Sequence, residues 1–132
     1  MQSRESPSSK QDPQGLNKYV SQVLDYVVDR FAQGQKEVIP SLAAEKLKLS
    51  SVEILGLFML LEDKGILQHF YRVYCRNKDA PLCDVADKED IPEQIPCKFC
   101  GDEHGEIDVD VEVVFRINAE KLTDLLRKRA VA

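Results

Sequence analysis

A chain of 132 residues with 43% hydrophobic and 31% charged side chains has a globular composition, enough for one ordinary domain or two very small ones sharing a core. No window approaches the ~18 apolar residues that a membrane span needs, and the net charge of −5 argues against nucleic acid as a partner, because a negative field repels phosphate unless a local basic face overcomes it. The charge is uneven: residues 1–74 carry nine acids and nine bases, residues 75–117 twelve and five, and residues 118–132 two and four.

Residues 1–15 are polar and lack the apolar run of a secretory signal, so they read as a disordered leader. The expected location is the reducing cytoplasm, where cysteines serve as metal ligands or free thiols. Leu16, Tyr19, Val20, Val23, Val27 and Phe31 fall at helical spacing and predict a helix over 16–33, with Gly34 as its C-cap. A short helix follows Ile39-Pro40-Ser41 through LAAEKL and is expected to turn Leu42 and Leu47 inward. After a brief turn at Lys48-Leu49-Ser50, Ser50 and Glu53 form a capping box for a third helix ending at Gly65.

The period then changes. Phe70 to Cys75 (FYRVYC) reads as a strand, and residues 76–106 read as loop, with three prolines and the remaining cysteines. From Ile107 to Ile117 every odd position is apolar, which predicts a strand with one buried face. Asn118 caps a closing helix over 119–129, with Leu122, Leu125 and Leu126 along one side.

The order helix, short helix, tight turn, helix, strand resembles a winged helix-turn-helix. The stretch LAAEKLKLSSVEILGLFMLLEDKGIL (42–67) carries the likeness: Ala44 at the helix crossing, Leu49-Ser50 in the turn, and Leu61 to Ile66 leading toward the wing. The resemblance implies an α+β fold, with a winged helix of three helices and a short sheet over 16–75. An inserted or appended zinc-ribbon-like lobe over 76–132 would include the long strand 107–117 and the last helix.

Membership would also imply DNA binding, and here the residues point elsewhere. A recognition helix needs polar or basic side chains to reach bases and phosphates, whereas Ile54 to Leu61 contain none. A helix apolar all round is buried all round. Leu57, Met59 and Leu60 are therefore expected to meet protein: a partner, a second copy in a homodimer, or the chain's own residues 119–126. The alternative is a DNA-binding regulator that uses the wing and the basic tail Arg127-Lys128-Arg129.

Cys97-x2-Cys100-Gly101 has the form of a zinc knuckle, in which the two-residue spacer lets both thiolates face one cation. With Cys75 and Cys83 the spacing is C-x7-C-x13-C-x2-C, and these four are the expected ligands of a structural Zn2+. His104, four residues after Cys100, is the alternative ligand in place of Cys75 or Cys83. A closed four-ligand site is structural, since no coordination position remains for water. A redox CxxC belongs at a strand-to-helix junction, and Gly101-Asp102-Glu103 leads into a strand instead.

A winged helix followed by such a ribbon resembles the N-terminal half of the alpha subunit of general transcription factor TFIIE and its archaeal relative. There the ribbon has two CxxC pairs, and this chain has one. No paired acids, catalytic triad or phosphate loop stands out, so the expectation is a non-enzymatic zinc-binding adaptor acting through protein contacts. His69 reads as an ordinary strand-edge residue and DVADKED (84–90) as a solvated loop. Residues 84–112 as a whole are acidic enough to meet a basic protein surface.

Overall fold

The computed structural model describes residues 13–105 and 108–131; the expected leader lies largely outside them. Helix α1 (Pro13–Ala32) buries Val23 and Val27 completely and leaves Tyr19 outside. It ends where Gly34 takes φ +87°, with the Gln35 N–H returning to the Arg30 carbonyl. Strand β1 (Glu37–Val38) leads into α2 (Pro40–Leu47), whose first-turn proline needs no helical N–H partner. The buried face of α2 runs through Pro40, Ala43 and Ala44. Leu42 is 54% exposed, contrary to expectation, because the helical period puts it off that face.

Helix α3 (Ser51–Asp63) starts with the expected capping box: the Glu53 N–H donates to Ser50 Oγ at 3.0 Å and the Ser50 N–H to Glu53 Oε1 at 2.9 Å. Replacing Ser50 with Ala is expected to lower stability by about 1 kcal/mol, read as a lower urea midpoint at unchanged slope. The helix buries Ile54, Leu57, Phe58 and Leu61 but exposes Val52 (81%), Met59 (57%) and Leu60 (42%). It is thus one-sided, and not buried all round.

Strands β2 (Leu67–Cys75) and β6 (Val109–Ile117) form the spine of the sheet, antiparallel from Leu67↔Ile117 to Cys75↔Val109. β1 pairs with the other edge of β6, and β3 (Ala80–Val85) with the other edge of β2, giving the order β1-β6-β2-β3. The region expected to be loop therefore contains β3, a 3-10 turn at Lys88–Asp90, and a small hairpin of β4 (Ile95–Pro96) and β5 (Glu103–His104). β3 escaped the sequence pattern because Pro81 and a bulge at Val73/Tyr74 interrupt its period.

The alternation in β6 holds at Val109, Phe115 and Ile117 but not at Val111, which is 42% exposed. Val114, on the opposite face, is fully buried. It pairs with Phe70, and the guanidinium groups of Arg72 and Arg116 lie over the Phe70 ring at 5.2 and 4.5 Å. Arg72 also reaches across the sheet, donating to both Glu37 oxygens at 2.8 Å and to Asp84 at 2.9 and 3.1 Å. That hydrogen bond from Arg72 holds the Glu37 carboxyl below its ordinary pKa.

One core joins α1, α2 and α3 to the sheet and to α4 (Ala119–Val131), with Val27, Phe58, Leu67, Phe115 and Leu122 inside it. Phe58 and Phe115 meet edge to face, their ring centroids 5.1 Å apart. The boundary expected between residues 75 and 76 does not separate two cores, because β6 and α4 pack with the first three helices. A second, small core lies where the chain between β2 and β6 packs back on those two strands. There Val73, Ile95 and Val109 are buried together, with Leu82, Cys83 and Ile91 against them. Among the described residues no helix is long and apolar enough to cross a membrane.

Candidate metal centre

Cys75 closes β2, and the chain turns immediately. The Asp79 N–H returns to the Cys75 carbonyl at 2.7 Å with Asp79 at φ +50°. A second turn of the same build begins at Cys97. The Gly101 N–H returns to the Cys97 carbonyl at 2.8 Å with Gly101 at φ +82°, and the Cys100 N–H reaches Cys97 Sγ at 3.4 Å. Lys78 thus occupies in the first turn the place that Cys100 holds in the second, and Asp79 that of Gly101.

The β4–β5 hairpin carries Cys97 and Cys100 in its loop and pairs Ile95 with His104, returning the imidazole toward the two cysteines. The structure brings together Cys75, Cys97, Cys100 and His104, whose ligand atoms all lie within 4.8 Å of one another. Cys75 Sγ is 3.5 Å from Cys100 Sγ and 3.4 Å from His104 Nε2. Four ligands at tetrahedral corners with metal–sulfur bonds of ~2.3 Å have sulfurs about 3.8 Å apart, so this donor set is close enough to bind a metal ion. Cys75, Cys97 and His104 are buried and Cys100 is half-buried.

Surrounding groups favour that use. Burial opposes a charged Cys75, but the N–H groups of Lys78 and Asn77 and the thiols of Cys100 and Cys97 draw its pKa below the ordinary thiol value. Hydrogen bonding to Cys75, with burial, pushes Cys100 up. On the far side of the imidazole, Asp108 Oδ2 lies 4.0 Å from His104 Nδ1 and is held by the Gly105 N–H at 3.1 Å. A ligating histidine is usually oriented by a carboxylate that accepts its other ring N–H, and Asp108 faces that nitrogen from just outside hydrogen-bond distance. The sequence pattern had not singled out Asp108; its four-residue spacing from His104 was the available signal.

Cys83 stands apart, which corrects the four-cysteine set. It pairs with Val73, two residues down the ladder from Cys75, and packs into the small core, where burial raises its thiol pKa. Its thiol is not among the four ligand atoms that lie within 4.8 Å of one another. His104, the alternative ligand, completes the group.

The expected partner surface also divides. Leu57 is only 8% exposed and belongs to the main core with Leu122, so it is not available to a partner, whereas Met59 and Leu60 are exposed. Arg127, Lys128 and Arg129 are exposed in the last turn of α4, with Arg127 3.6 Å from Asp124 and Arg129 3.9 Å from Asp25. His69 is more than an edge residue: its Nδ1 lies 2.9 and 3.0 Å from the two Glu62 oxygens, and its N–H donates to Glu62 Oε1 at 2.9 Å. Comparison of the chain with protein-family models, with curated proteins and with solved structures finds no match in any of the three.

Proposed function

We propose that the protein is a non-enzymatic adaptor: a winged-helix framework with a structural zinc site in its wing, acting through contacts with other proteins. The observation that carries this reading is the convergence of Cys75, Cys97, Cys100 and His104 at the neck of the 76–108 segment. Soft thiolates with one imidazole suit Zn2+, and four protein ligands leave no position for a reacting water. The framework is supported by three helices leading into a sheet whose β2–β6 connection stands where a winged helix has its wing. The paired turns at Cys75 and Cys97 support the ribbon-like reading of the insertion.

Contacts through protein are favoured by the exposed Met59 and Leu60 on α3 and by the acidic insertion. The tail arginines beside Asp124 and Asp25 offer duplex phosphates little net positive charge. Protein purified without chelator is expected to carry about one equivalent of zinc per chain, because a closed structural site stays filled. Metal analysis giving less than about half an equivalent would reject the site.

A further inference from the structure

A groove of about 430 Å³ lies between α3 and the sheet, away from the metal ligands. Leu55 and Met59 form its helical wall and Val111, Val113 and Phe115 its sheet side. Met59 and Val111 are 57% and 42% exposed. Concave apolar surface of this kind is where a partner's anchor side chain gains most from leaving water.

The rim is acidic at both ends. Glu62 and Asp63 stand at one, and the exposed turn of Asp87, Glu89 and Asp90 flanks Lys88 at the other. Lys88 itself lies over the Tyr71 ring, 5.6 Å from its centroid. A second copy is a poor occupant, because a two-fold contact across this face would set those acids against their own counterparts. The chain's basic tail is also unsuited, since the leucines beside it, Leu122, Leu125 and Leu126, are committed to the core.

We propose that this groove binds an apolar segment of another protein flanked by lysine or arginine. The proposal rests on the adaptor reading and names its partner chemistry. The apolar anchor would sit between Met59 and Val111, and the flanking cations would meet Asp63 on one side and Glu89 and Asp90 on the other.

The test uses the full zinc-containing chain and a fluorescein-labelled amphipathic peptide with leucines on one face and lysines on the other. Its counterpart has glutamate in place of lysine. Anisotropy titration is expected to show saturable binding of the leucine–lysine peptide only, weakened at least tenfold by Met59→Asp and several-fold by Glu89→Lys with Asp90→Lys. Met59→Asp adds an acid, so a surface held by charge alone would bind the cationic peptide more tightly; the groove requires the opposite. Val111→Ser, on the sheet side, should weaken binding in parallel and covers the case in which the helix variant does not fold. Absent binding, equal binding of the glutamate peptide, or undiminished binding by both groove variants overturns the proposal, as does a dimer in light scattering that Met59→Asp dissociates. Protein that holds zinc but fails these tests loses the groove and keeps the metal framework; protein without zinc fails the framework itself.

Discussion

Cys97→Ser is expected to release the metal and unfold the 76–108 insertion while the helical core survives. Cys97 is buried at the base of the β4–β5 hairpin, and its carbonyl and thiol organise the turn that carries Cys100. Of the small core beside it, Val73 and Val109 belong to β2 and β6, and Ile95 alone is a fully packed member from the insertion itself. With so little apolar burial of its own, the insertion depends on metal binding for its order, because binding to a site that exists only in the folded state is folding free energy.

Mass spectrometry under native conditions should therefore show a metal-free variant. Hydrogen exchange should lose protection across 80–105 while amides of α1 and α3 stay protected. A variant that keeps a full equivalent of metal and unchanged exchange in the insertion would contradict this account. So would collapse of the whole chain, since the main core contains none of the four ligands.

The second large effect concerns the fourth ligand. His104→Ala should weaken metal binding by more than the ~10–100-fold that loss of an outer-sphere partner such as Asp108 would produce. Cys83→Ser should leave it unchanged. The repeated turn gives a sharper test. Lys78 stands relative to Cys75 as Cys100 stands relative to Cys97, so the Lys78 position addresses the corner that His104 fills. Lys78→Cys introduced into the His104→Ala variant is expected to restore binding with four sulfur ligands, visible after cobalt substitution as stronger thiolate-to-metal charge-transfer absorption than the native three-sulfur set. Failure of the double variant to regain metal would show that the two turns are alike in backbone only.

The parts of the structure legible in the sequence are those decided locally. Ser50 and Glu53 announce their capping box within a single turn, and Cys97-Lys98-Phe99-Cys100-Gly101 announces its own loop. The choice between Cys83 and His104 is not local. It depends on β3 pairing back on β2 past a bulge, which draws Cys83 down the ladder, and on a two-pair hairpin that returns His104.

The same reason hid the outward Leu42, Met59 and Leu60. Periodicity identifies a helix, but the face it buries is set by what packs against it. Val114 escaped because it lies on the face expected to be solvated, where its pair partner Phe70 carries two arginine guanidiniums over its ring, a layer that leaves no apolar pattern. The pairing of β2 with β6, which joins the two halves of the chain, is a long-range contact that neither strand declares alone.

That pairing has a thermodynamic consequence. The two strands form one ribbon whose far end, Cys75 opposite Val109, holds the metal ligand and whose middle, Tyr71 opposite Val113, lines the groove. Fraying from the metal end reaches Val111 before it reaches the helical core. If a metal at Cys75 and a segment against Val111 each hold the ribbon paired, equilibrium linkage requires that each raise the other's affinity by the same factor.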